Sequence, residues 1–152
     1  MMVFGAGVLG CNLTRNLFRA GKDVTLLARG AWAETIRENG LRIKSKLSPR
    51  TSVSRVPVVT ELLPEDAYDV IFVAVRYTQL AGMVDTLKAN KTKNIVFVNN
   101  VRATELAALL PGKTAMFAFT GAAGHRESDR VVSADLRKLP SGSFAVHRHA
   151  KN

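Results

Sequence analysis

A single cysteine, Cys11, stands in the 152-residue sequence, so no internal disulfide framework holds the fold and no oxidising compartment is implied. Long apolar runs are missing too: none approaches the roughly 18 residues that a bilayer span needs. The opening Met2-Val3-Phe4-Gly5 lacks the basic region, apolar region and cleavage site of a secretory signal. These absences set a cytoplasmic location with no membrane partner as the expectation. Carboxylates are scarce, 12 against 22 Lys and Arg, for a formal charge of +10. The positive charge gathers at Arg37, Arg42, Lys44, Lys46, Arg50 and Arg55, and again at Arg137, Lys138, Arg148 and Lys151. A basic face attracts phosphates, but no recognition motif or aromatic stacking platform accompanies this one, which argues against nucleic acid as the partner. A solvated surface, attraction for an anionic cofactor or loss of a more acidic partner domain remain as readings. Repeats and low-complexity tracts are absent.

What is present is the balance of a globular protein, 47% apolar and 22% charged, in a length that suits one domain. Val3-Phe4 begins a strand, and Leu13, Leu17 and Phe18 then recur at helical spacing before Gly21, a C-terminal cap. Val24–Ala28 reads as a buried strand and residues 31–39 as a short helix closed by Gly40. Leu41–Lys44 and Val53–Val58, around Ser48-Pro49, suggest an exposed antiparallel hairpin. Val70–Val75 is apolar throughout, as a strand covered on both faces should be. Leu80, Met83, Val84 and Leu87 predict one amphipathic helix. Further strands at 95–98 and 115–119 flank a helix at 104–110, and Val131–Leu136 reads as one more strand. The alternation predicts an α/β fold with a doubly wound, mostly parallel sheet over residues 1–120, followed by a peripheral strand, loop and tail over 121–152.

Strand, glycine loop, helix and second strand come in the order that gives Gly5-Ala6-Gly7-Val8-Leu9-Gly10 its meaning as a Rossmann-type dinucleotide site. Gly5 allows the tight turn, Gly7 admits a pyrophosphate to the backbone, and Gly10 lets helix and strand pack closely. The free amides and positive dipole end of the helix then receive phosphates. NAD-selective sites place an acid about 20 residues after the loop. Here Arg29 follows Gly10 by 19 residues and neither Leu27, Ala28 nor Gly30 is acidic. A guanidinium pairs with a 2′-phosphate where a carboxylate would repel it, so NADP(H) is the expected cofactor.

With Val24–Arg29, Glu38–Leu41, Val73–Gln79 and Asn99-Asn100 in the same order, the sequence resembles the ketopantoate reductases (2-dehydropantoate 2-reductases) from residue 2 to about residue 120, and more thinly to about 139. The resemblance implies NADPH-dependent reduction of a small 2-oxo acid, between a Rossmann domain and a C-terminal helical domain. It implies that Gly5, Ala6, Gly7, Val8, Leu9 and Gly10 line the pyrophosphate and that Arg29 takes the 2′-phosphate. Val75 and Arg76, just past a buried strand, would lie near the cofactor, and Arg76 stands where lysine is common. Gln79 matches a frequent glutamine with a binding or a packing role. Asn100 matches an asparagine near nicotinamide and substrate. Val101 and Ala103 replace two glycines of that segment, which changes the floor of the substrate cleft and leaves the acid's identity open. Gly121–Arg126 is similar to a glycine-containing loop of some members.

The lysine that meets the developing oxyanion and the glutamate that holds substrate lie, in that family, on the helical domain. The sequence ends at Asn152 without room for it, so the expectation is a chain that binds cofactor and needs a helical domain or partner chain for turnover. Lys88, Lys91 and Lys93 are expected on the far side of the sheet, and Arg76 is a poor proton donor. A non-catalytic NADP(H)-sensing module is the second reading, and a homodimer is left open. His125, His147 and His149 lack the carboxylate or cysteine partners of a metal site. Cys11 reads as a small buried residue, or as a reactive thiol at a helix start. Trp32, with Ile36, reads as a hydrophobic anchor for its helix.

Overall fold

The computed structural model describes residues 1–98, 103–119, 121–135 and 146–148. Strands β1 (Met2–Phe4), β2 (Thr25–Leu27), β5 (Val58–Val59), β6 (Ile71–Val73), β7 (Asn94–Phe97) and β8 (Thr114–Ala118) form a parallel sheet in the order β8-β7-β6-β1-β2-β5. From β1 the chain winds outward through β2 to β5, then returns to lay β6, β7 and β8 on the other side. This is the Rossmann order, and its direction reverses between β1 and β6, where α/β sheets bind ligands. Residues 146–148 add an antiparallel edge, β11 (Val146–Arg148), against β8.

Each central strand presents alternate residues to opposite faces. On one face Met2, Phe4, Ile71, Val73, Ile95 and Phe97 form a core that helices from the second half of the chain cover. These are α3 (Tyr77–Leu80), α4 (Val84–Ala89) and α5 (Ala103–Leu109). Phe97 and Phe117 stack there with ring centroids 5.6 Å apart. On the other face Val3, Leu26 and Val96 lie under α1 (Val8–Arg19) and α2 (Gly30–Asn39). Gly21 and Gly40 follow these two helices with positive φ, in the capping places that the sequence assigns them.

Four expectations change. The helix from Leu80 to Leu87 is not continuous. Ala81–Met83, around Gly82, is a 3₁₀ turn between α3 and α4, although Leu80, Met83, Val84 and Leu87 all stay buried. The segment Val53–Val58 is divided: Thr51–Ser54 is β4, paired with β3 (Leu41–Ser45), whereas Val58 belongs to β5 of the main sheet. Pro57, which has no N–H to give a ladder, lies at the break and accepts from the Leu26 amide at 2.9 Å. The hairpin is not exposed on both sides, because Leu41 and Ile43 are buried beneath the helices. Finally, Gly121–Arg126 is no loop: Ala122–Arg126 is strand β9, antiparallel to β10 (Val131–Asp135). Since β10 also pairs in parallel with β3, the four strands make a second sheet, β4-β3-β10-β9. No local periodicity announces a parallel partner so distant in sequence.

Candidate functional site

The glycine loop leaves β1 at its C-terminal end, where the Gly5 amide donates to the Leu27 carbonyl at 3.2 Å. Gly5 has φ +115°, and a β-carbon on it would lie 2.6 Å from the Ala74 carbonyl oxygen of the adjacent strand end. The tight turn therefore requires glycine. Gly10 is buried in α1, with room for no β-carbon: one would lie 1.8 Å from the Gly5 carbonyl oxygen. Gly7 differs from both, since a β-carbon there would meet nothing within 4 Å. It faces the open cleft, and its bareness serves whatever approaches from outside. Gly7 caps α1 without any side-chain hydrogen bond, and the first helical bond runs from the Cys11 amide to the Gly7 carbonyl. The preceding amides, at the positive end of a 12-residue helix, are thus available to an anion.

Around this loop lies a cleft of about 1320 Å³, lined by Gly5 to Leu9, by Arg29 after β2, by Val75 and Arg76 after β6, and by His125 and Arg126 of β9. It exceeds the roughly 300–1,000 Å³ of pockets for drug-sized ligands. Aromatic rings set two of its cations. The Arg29 guanidinium lies 5.8 Å from the Phe4 ring centroid and that of Arg126 lies 5.3 Å from the Trp32 ring, both within cation–π range. Trp32 in turn donates its indole N–H to the Ala6 carbonyl at 2.9 Å, tying α2 to the glycine loop. At the rim Gln79 caps α3: its Oε1 accepts from the Arg76 amide at 3.2 Å and its own amide donates to the Arg76 carbonyl at 2.9 Å. Gln79 also lines the cleft.

Beneath the loop Cys11 is fully buried. Burial pushes the Cys11 thiol up to about 12, against the smaller opposing effects of a Trp32 hydrogen bond and the Arg126 charge. A thiol so held is a packing group and not a nucleophile. Beside it the buried Asn12 donates to the Val8 carbonyl at 2.8 Å and accepts from the Ser133 hydroxyl at 3.0 Å. This bond fastens β10, and with it β9, to the first turns of α1.

The structure thus brings Gly5, Ala6, Gly7, Val8, Leu9, Arg29, Val75 and Arg76 to one cleft, with Gly10 as its buried support. Asn100, with Asn99, Val101 and Arg102, lies outside the described residues. Trp32 is more than the hydrophobic anchor its sequence suggests, and Arg126 reaches the cleft by a strand pairing that no local pattern predicts. Lys91 and Lys93 precede β7, at the opposite end of the strands from the cleft, and Lys88 pairs with Asp85 at 3.9 Å. Part of the basic segment 37–55 is neutralised: Arg37 pairs with Glu34, and Arg42 with Asp129 at 2.8 Å. Among the described residues no group of three His, Cys, Asp or Glu side chains is placed to hold a metal ion, and no helix is long and apolar enough to cross a membrane.

Residues 1–142 match the protein family described as Ketopantoate reductase PanE/ApbA. No curated protein matches the chain by sequence. Among solved structures, 2-dehydropantoate 2-reductase from Geobacter metallireducens is similar at a TM-score of 0.76 and 21% identity, over 97% of this chain and 49% of that one. Probable 2-dehydropantoate 2-reductase from Bacillus subtilis gives 0.72 and 20%, over 88% and 45%. A D-mandelate dehydrogenase, solved with NADH and anilino(oxo)acetate, gives 0.73 and 21%, over 96% and 47%. The chain spans about half the length of these proteins.

Proposed function

This chain belongs to the ketopantoate reductase PanE/ApbA family, and we propose that it is the cofactor-binding half of an NADPH-dependent reductase of a small 2-oxo acid. The observation that carries the proposal is the cleft at the β1/β6 switch point, with an uncapped helix N-terminus behind Gly7 and an exposed Arg29 at its edge. In this reading the amides that follow Gly7 hold the pyrophosphate. Arg29, the residue at the end of β2 where an acid would select NAD(H), pairs with the 2′-phosphate. Gly5 and Gly10 keep the loop tight enough for that approach, and Trp32 fixes it from the α2 side. Val75 and Arg76 border the nicotinamide half, where the Arg76 charge draws a substrate carboxylate. Asn100 is assigned to the substrate and nicotinamide side from its place in the family motif. When bound, NADPH supplies the hydride.

Among the described residues the cleft holds no lysine, since Lys91 and Lys93 beside β7 are at the far end of the strands, and its arginines stay charged; His125 and Tyr77 are the other titratable side chains that line it. We assign turnover to a longer form of the protein or to a complex with a partner chain, on the resemblance to a family whose lysine stands on a helical domain. Tyr77 and Phe119, 60% and 50% exposed just past β6 and β8, give such a helical partner apolar surface to cover. Calorimetric titration tests the cofactor assignment. NADPH is expected to bind at least tenfold more tightly than NADH, a preference that Arg29→Ala abolishes. Equal affinities in the parent chain would refute the role given to Arg29.

A further inference from the structure

The second sheet brings to the cleft an arginine whose position no part of the glycine motif accounts for. Gly124, on β9, allows no side chain, since a β-carbon would lie 2.1 Å from the Val132 carbonyl oxygen of β10. Strand β9 is therefore pressed against β10 in one register, with Arg126 opposite Val131. The Ser133–Asn12 bond then fixes β10 to α1. At the end of this chain of contacts the Arg126 guanidinium lies over the Trp32 ring, whose N–H is bonded to Ala6 of the glycine loop.

The nearby carboxylates are already engaged. Glu127 pairs with Arg130 at 3.2 Å and meets His125 at 3.4 Å, while Asp129 pairs with Arg42 at 2.8 Å and with Arg130 at 2.9 Å. Arg126 pairs with no described carboxylate, is exposed, and lines the cleft. Arg29 is alike in each respect and rests on Phe4, directly before Gly5. Two guanidiniums, one over the ring that precedes the loop and one over the ring bonded to Ala6, are thus left with positive charge to satisfy. A guanidinium stacked on a ring keeps its donor edge free for a phosphate oxygen.

We infer that Arg126 is a second anion-binding residue of the cleft, which contacts a phosphate of the bound dinucleotide from the β9 side while Arg29 contacts the 2′-phosphate from the β2 side. The inference rests on the cofactor assignment above and adds a wall to the site. Calorimetric titrations of the 152-residue chain with NADPH and with NADH test it, using the parent, Arg126→Ala, Arg126→Lys and Arg29→Ala. Loss of one charge-assisted contact is expected to weaken binding by roughly tenfold or more. If Arg126 meets the pyrophosphate, Arg126→Ala weakens NADPH and NADH alike; if it meets the 2′-phosphate, only NADPH suffers. Either result supports the inference, and Arg126→Lys should recover part of the loss by keeping the charge.

A thermal melt within a few degrees of the parent's shows that the variant is folded, and Trp32, the one tryptophan of the chain, reports the loop directly by its fluorescence. If Arg126→Ala binds both dinucleotides as the parent does while Arg29→Ala loses NADPH, Arg126 is a surface residue and the inference is overturned, with the cofactor assignment intact. If the parent binds neither dinucleotide, both fall together.

Discussion

Gly10 has no slack and Gly7 has nothing but slack, although the two stand in one hexapeptide. A methyl group at Gly10 must displace the Gly5 carbonyl, 1.8 Å away, and with it the turn that sets β1 against α1. Overpacking of this kind costs about 1–3 kcal/mol, and more where the obstacle is backbone. Gly10→Ala is therefore expected to lower the midpoint of denaturant unfolding, whereas Gly7→Ala leaves it within error and instead weakens dinucleotide binding. Equal unfolding midpoints for both variants would contradict the division of labour. That division was legible in the sequence, because a tight turn, a close approach and a helix contact are local demands of a six-residue pattern. So was Arg29, which is placed by counting from the loop. Trp32 was not: its place in the first turn of α2 suggests only an apolar anchor, and the acceptor for its N–H is the carbonyl of Ala6, 26 positions earlier.

Among elements, the β9–β10 hairpin is held by charge as well as by its ladder. Arg130 lowers the Asp129 carboxyl below its ordinary value of 3.8, chiefly by a hydrogen bond, and Arg42 on β3 adds to the effect. A carboxyl lowered in the folded state contributes stability above its unfolded value, and that contribution is lost as pH falls through the folded one. Docking of the hairpin onto β3 should accordingly weaken below about pH 3.8. Amide exchange of residues 122–135 should then accelerate ahead of the main sheet, and Asp129→Asn should show the faster exchange already at neutral pH. Uniform acceleration across both sheets would speak against it. Helices and strands of the main sheet could be read from periodicity, since each buries its own face. The second sheet could not, because four strands of the main sheet, β5 to β8, lie between β3 and β10 in the chain.

As a whole molecule the chain is about half the length of the structures it resembles. Its +10 charge favours encounter with an anionic dinucleotide and should make that encounter weaken with added salt. A longer form carrying a helical domain is expected to oxidise NADPH when given 2-oxo acids, while the 152-residue chain binds NADPH without steady-state turnover. The absorbance of NADPH reports both. Turnover by the chain alone would place the proton donor within these 152 residues.

The Ser133–Asn12 hydrogen bond joins residues 121 positions apart, and this gives the cleft a history. A chain leaves the ribosome N-terminus first, and contacts of long sequence separation close late. The glycine loop and Arg29 are therefore already synthesised while the strand that bears Arg126 is still being made. The wall that carries Arg126 is thus the last part of the cleft that the chain can close.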